Sequence, residues 1–271
     1  GDGKGNFKKT EGALPSLVGS SKSCVAPADY DGDGDVDLLV GGKVVPGLFH
    51  VSPRTYLLNN DGKGKFTAVN TAFDSVGLVS DAKWVDVNGD GRKDLLIAGE
   101  FMPIKLYINN KTGFKDETGN YFNKKENGFW YSIEVADVNG DGKEDIIAGN
   151  LGLNHQFNIT EKQPGELYYS DFDKNGSIDP FFNYYIEGTS YPYVSRDELN
   201  EQMYSMRKKF LTYKDYASVT MKQMFASPEL AAANKLEVTE SRSVVFIQKN
   251  GGFEKQVLPL PAQFSMVTKI K

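Results

Sequence analysis

In 271 residues the chain has one cysteine, Cys24, and two histidines, His50 and His155. A lone thiol excludes an internal disulfide framework and a thiolate zinc site. Two histidines 105 residues apart leave little for imidazole-based metal binding or acid–base chemistry. No apolar run approaches the roughly 18 residues of a membrane-spanning helix. Basic excess is missing too: 31 Lys and Arg stand against 36 Asp and Glu, a net charge of −5. That balance argues against a nucleic-acid partner. Gly1-Asp2-Gly3-Lys4-Gly5 reads as a turn, not a targeting segment. No Ser-His-Asp, Cys-His or phosphate-loop pattern occurs, so the chain is not expected to be an enzyme.

What the sequence has in quantity is a repeat. The nine-residue pattern D-x-[DN]-x-[DN]-G-x-x-D occurs four times. Its copies are Asp29, Asp31, Asp33, Gly34, Asp37; Asp86, Asn88, Asp90, Gly91, Asp94; Asp137, Asn139, Asp141, Gly142, Asp145; and Asp171, Asp173, Asn175, Gly176, Asp179. Hard cations such as calcium take six to eight oxygen ligands. Side-chain oxygens at positions 1, 3 and 5 can converge if the chain curls, and glycine at position 6 permits the reversal. The backbone carbonyl of position 7 (Asp35, Arg92, Lys143 or Ser177) and the acid at position 9 would complete the shell. An Asp/Asn/Gly turn needs no acid at position 9, and clustered carboxylates repel without a cation. Up to four Ca2+ sites are therefore expected.

An EF-hand shares the first half of this pattern but needs a carboxylate at position 12 and flanking helices. Position 12 here is Val40, Ile97, Ala148 or Phe182, and the flanks, such as Leu38-Leu39-Val40 and Leu95-Leu96-Ile97, read as strands. A second element recurs: strand, Asn/Gly turn, aromatic residue, strand. It appears at Tyr56–Phe66, Leu106–Phe114 and Val245–Phe253, with the tail of another at Gly3–Phe7. Together these give four antiparallel strands per roughly 50–60 residues, one blade of a β-propeller. The first aspartates are spaced by 57, 51 and 34 residues. The short last interval predicts an abbreviated outer hairpin near Phe157-Asn158-Ile159-Thr160 in the Asp137 blade; a less favoured layout makes the Asp171 loop the outer turn of that same blade. Residues 187–236 read as a helical insertion: Ser195–Glu198 is a capping box, Leu199, Met203, Met206 and Phe210 have helical spacing, and Pro228 opens a further short helix. A terminal strand is expected over Phe264–Lys271.

These loops and hairpins resemble FG-GAP or VCBS repeats, the calcium-loop blades of integrin α-subunits. Asp171–Tyr185, with Tyr191-Pro192-Tyr193, is similar to bacterial secreted proteins related to cartilage acidic protein, which are associated with ASPIC/UnbV domains. The resemblance implies an all-β propeller, extracellular or at the cell surface, with calcium in the blade loops. On that basis residues 1–271 are about four blades plus fragments of a seven-bladed ring belonging to a longer chain. The implied role is binding, adhesion or scaffolding toward a protein or glycan at the cell surface. An alternative is a polysaccharide-acting enzyme or its accessory domain. For it, His155 is the best isolated candidate and more simply a turn residue, while Glu100 and Glu187 have no special context. Phe181-Phe182-Asn183-Tyr184-Tyr185 could meet sugar rings but suits packing better, and Arg207-Lys208-Lys209 reads as a solvated helix face. Cys24 is expected to be a small core residue.

Overall fold

The structure, a computed structural model, describes residues 4–6, 8–124 and 126–271. The Gly3–Phe7 tail therefore falls partly outside the described residues, at Gly3 and Phe7. The described residues form an all-β protein of four four-stranded antiparallel sheets, one carrying a small extra strand. Three sheets have propeller-blade order. Blade one is β1 (Ser21–Ala28), β2 (Asp37–Val44), β3 (Tyr56–Asn60) and β4 (Phe66–Val69). Blade two is β5 (Leu78–Val85), β6 (Asp94–Met102), β7 (Lys105–Asn109) and β8 (Phe114–Asp116). A helical turn, α1 (Thr118–Tyr121), follows, and β9 (Gly128–Phe129) pairs with the end of β6. Blade three starts with β10 (Ser132–Ala136) and β11 (Asp145–Gly149).

Blade packing explains why the second strands read as unbroken apolar runs. On β6, Leu95 and Ile97 enter the core shared with blade one, beside Leu39, Leu57 and Phe73. The alternate residues, Leu96 and Ala98, enter the core shared with blade three, beside Trp130, Ile133 and Ile146. A strand buried on both faces must be apolar at every position. Each fully buried Leu or Ile contributes about 1.5–3 kcal/mol. The inner strands are also joined edge to edge. Trp84 Nε1 donates to the Ala26 carbonyl at 3.0 Å, the Ile133 amide donates to Asp81 Oδ2 at 3.0 Å, and Lys83 pairs with Glu134 at 2.7 Å.

Blade three is interrupted after β11. The chain leaves to build a fourth sheet from β12 (Gly165–Ser170), β13 (Asp179–Ile186) and β14 (Thr189–Pro192). Five short helices follow: α2 (Arg196–Gln202), α3 (Met206–Lys209), α4 (Tyr213–Tyr216), α5 (Met221–Met224) and α6 (Ser227–Ala232). After β15 (Asn234–Val238) the chain returns, and β16 (Val244–Lys249) and β17 (Gly252–Val257) complete blade three. Asn150 ties the neck of this excursion, donating to the Glu240 carbonyl at 3.0 Å and receiving the Phe129 amide at 3.1 Å.

Several expectations change. The Asp137 blade has no abbreviated hairpin at residues 157–160; its outer hairpin is β16–β17, because Ile146 and Ala148 pair with Phe246 and Val244. The Asp171 loop is not the outer turn of that blade either. It lies in a separate sheet of order β14-β13-β12-β15, in which β15 pairs with β12 rather than with β14. Within 187–236, helices occupy only 196–232, since Thr189–Pro192 pairs with β13 and Asn234 opens β15. Leu199 and Met203 to Phe210 do not share one helix: the chain breaks at Met203, which has extended backbone. Phe264–Lys271 forms no strand; it follows a 3-10 turn over Leu260–Gln263, and the Val267 amide donates to the Asn150 carbonyl at 3.0 Å. The Ser195–Glu198 capping box is present. Cys24 is half-buried against the core between blades one and two.

Candidate metal centres

All four acidic motifs close the first two strands of a hairpin in one register. The residue before position 1 pairs with position 9: Ala28 with Asp37, Val85 with Asp94, Ala136 with Asp145, and Ser170 with Asp179. No helix flanks any loop, and position 12 lies in a strand each time, which excludes an EF-hand.

Inside each loop the side chains satisfy the backbone in the same way. Position 1 spans the turn, and its Oδ2 accepts the position-6 glycine amide: Asp29 from Gly34 at 3.0 Å, Asp86 from Gly91 at 2.8 Å, Asp137 from Gly142 at 2.9 Å, and Asp171 from Gly176 at 2.9 Å. Position 3 (Asp31, Asn88, Asn139, Asp173) accepts the amide of position 5. Position 5 (Asp33, Asp90, Asp141, Asn175) accepts the amide of position 7, which is Asp35, Arg92, Lys143 or Ser177. Gly34, Gly91, Gly142 and Gly176 have φ of 82–94°, where a β-carbon is penalised. Position 4 is left-handed as well, as Gly32, Gly89 and Gly140 and, in the fourth loop, Lys174 at φ 60°. The nine-residue pattern did not include that requirement.

Position 9 plays a different part. Asp37, Asp94, Asp145 and Asp179 are at most 3% exposed. One carboxylate oxygen accepts the position-2 amide of the same loop, from Tyr30, Val87, Val138 or Phe172. In the blades, the other accepts a third-strand amide at 2.8 Å, from Asn60, Asn109 or Gln248. Burial pushes the Asp37, Asp94 and Asp179 carboxyls upward, partly opposed by these hydrogen bonds. Exposed Asp137 is held down by the amides of Gly142 and its neighbours. A cation beside the buried acids would favour their charged form.

Carboxylates converge in two loops. Oxygens of Asp29, Asp31 and Asp37 lie within 4.8 Å of one another, and so do those of Asp171, Asp173 and Asp179. Each cluster can hold a metal ion, and its all-oxygen donor set suits a hard cation. In the second and third loops the middle member of that trio is Asn88 or Asn139, so no third carboxylate joins. The Arg92 guanidinium also pairs with Asp90 in the second loop. Asp33, at position 5, stands outside the first cluster.

The third-strand partners of position 9 were not among the residues singled out from sequence. Two of them also bridge blades: Asn109 Nδ2 donates to the Tyr30 carbonyl at 2.7 Å, and Gln248 Nε2 donates to the Val87 carbonyl at 2.8 Å. Their signal was the recurring amide at the end of each outer hairpin's first strand. The fourth loop has no such strand neighbour. There Gln202 Nε2 of α2 donates to Asp179 Oδ1 at 3.1 Å, and the Phe172 ring stacks on Phe225 at 4.0 Å in the helical core.

The other candidates sit elsewhere. His155 is a turn residue, with Nε2 2.9 Å from the Gly152 carbonyl and Nδ1 accepting the Phe157 amide at 3.1 Å. Glu100 pairs with Lys43, and Glu187 is exposed at a left-handed turn. Phe181 is fully buried, and Phe182 packs in an aromatic group with Phe101, Phe129 and Phe157.

Residues 86–148 match the FG-GAP-like repeat family. This stretch runs from the second acidic loop through the third, so the chain carries an FG-GAP repeat. No curated protein matches the chain. No helix of the described residues is long and apolar enough to cross a membrane.

Proposed function

We propose that the chain is an extracellular or cell-surface propeller module that binds calcium in its hairpin loops and serves as a non-catalytic binding, adhesion or scaffold element. Calcium would be held by the side chains of positions 1, 3, 5 and 9 and the carbonyl of position 7, in up to four loops. The supporting observation is that four hairpins of one register fold the same acidic loop, and two of them gather three carboxylates at one point. The ion's work is structural. It neutralises acids that repel one another and fixes the hairpin ends that set the spacing of the blades. Thirteen motif acids account for the net negative charge of the chain. Extracellular modules operate with dissociation constants of roughly 0.1–1 mM. The partner in this reading is a protein or glycan at the cell surface.

The test is the thermal midpoint of protein first shown to hold calcium, measured with and without EDTA. At a free calcium concentration about 100-fold above the dissociation constant, one site adds about 2.7 kcal/mol. Chelation should therefore lower the midpoint by at least several degrees. Superimposable melting curves would refute a structural role for the ion.

A further inference from the structure

Away from the acidic loops, the inserted sheet and its helical cap enclose a cleft of about 430 Å³, within the range of small-molecule pockets. Glu166, Tyr168, Tyr185 and Ser190 line it from the sheet, and Thr220 and Lys222 from the start of α5. Glu166 is the unusual member. Its side chain is only 8% exposed, yet its partners are loosely set. Lys235 Nζ is 3.2 Å away and closer, at 2.5 Å, to Glu237. The Tyr168 hydroxyl stands at 3.4 Å, and the Ser190 hydroxyl donates at 2.8 Å. A carboxylate taken out of water is costly unless it is well paired. Its cross-strand neighbour on the same sheet face, Asn183, is wholly buried, and the Asn183 carboxamide oxygen meets no donor. Acceptors thus outnumber good donors on this face of the sheet. Tyr185, opposite Ser190, is half-buried and, among the described residues, neither stacks on another ring nor hydrogen-bonds through its hydroxyl. Two polar groups and one aromatic face are therefore left under-used around one cleft.

The chemistry of the lining selects the ligand. A buried carboxylate opposes an anion, while the ammonium groups of Lys222, in the lining, and Lys235, beside Glu166, oppose a cation. A sugar hydroxyl both donates and accepts, so a neutral sugar ring can answer such a mixed wall at several points. Its C–H face can also lie against a tyrosine ring, which offers an apolar body and a polar tip. We propose that this cleft binds a neutral sugar ring, with Glu166 as the central acceptor and Tyr185 as the stacking surface. The inference deepens one part of the reading above, the binding role toward a glycan, and rests on that part alone.

Saturation-transfer NMR titration of the full chain with glucose, galactose, mannose and N-acetylglucosamine tests the site. At least one of the four should bind the wild type. Glu166→Gln keeps the size of the side chain and removes its charge, and should weaken that binding by about tenfold or more, the worth of a hydrogen bond to a charged group. Tyr185→Leu keeps the bulk and removes the ring, and should weaken it as well. Lys222→Ala, at an exposed position on α5, puts no buried contact at risk and should weaken binding in a folded protein. Tyr204→Ala changes an exposed tyrosine outside the cleft and should leave binding unchanged. No transfer to any of the four sugars, or transfer that ignores the substitutions at Glu166, Tyr185 and Lys222, would overturn the site. Neither result alters the melting curves with and without EDTA, which test the calcium reading separately.

Discussion

At the scale of single residues, the aspartates of one motif do unlike jobs. Position 1 is a solvent-side brace whose oxygens organise glycine amides. Position 9 is a buried clamp between the loop and a neighbouring element. The difference predicts unequal costs. In Asp94→Ala the amides of Val87 and Asn109 lose their acceptor in a buried setting, at about 1–3 kcal/mol each. Asp86→Ala frees amides in an exposed loop that water can reach. Urea unfolding in EDTA, where no ion contributes, should show a loss of about 2–5 kcal/mol for Asp94→Ala and a clearly smaller one for Asp86→Ala. Equal losses would mean that position 9 is not a structural clamp. The acids themselves were legible in the sequence because their spacing is local. Their division of labour was not, because burial of position 9 depends on strands that arrive 15 residues later in blade two and 103 residues later in blade three.

At the scale of elements, β2, β6 and β11 decide the architecture. Their apolar runs, bounded by an acidic loop and a glycine-containing turn, marked them as strands. Burial on both faces confirms the reason. The glycine at the far end of β6 is a close-approach residue: a β-carbon on Gly99 would collide with the Leu78 carbonyl and the Met102 sulfur. Backbone cannot yield as a flexible side chain can, so Gly99→Ala should cost about 1–3 kcal/mol in chemical denaturation. A neutral effect would show that β5 and β6 have room to separate there. The hairpins at Tyr56, Leu106 and Val245 were equally legible, since turn chemistry is local. The membership of the Val245 hairpin in blade three was hidden. Ala148 and Val244 are brought together only by tertiary pairing, and the 34-residue interval between the last two loops suggested a neighbouring blade instead.

At the scale of the whole molecule, three blades share two continuous cores, while the inserted sheet and its helices build a third around Phe172, Phe181 and Met203. The insertion leaves from the ends of the blade strands opposite the first three acidic loops, and there Leu167 and Val238 pack against Leu78 and Phe101. The repeated motif thus serves two settings, blade ends and the foot of a helical cap. What unites them is one loop geometry, with position 1 accepting the glycine amide of position 6 and position 9 buried. The most direct measurement is long-wavelength anomalous diffraction from crystals grown in saturating calcium. The expected result is anomalous density among Asp29, Asp31 and Asp37 and among Asp171, Asp173 and Asp179, with oxygens about 2.3–2.6 Å from each peak. Maps with no such peak at any of the four loops, in crystals that hold calcium elsewhere, would contradict it.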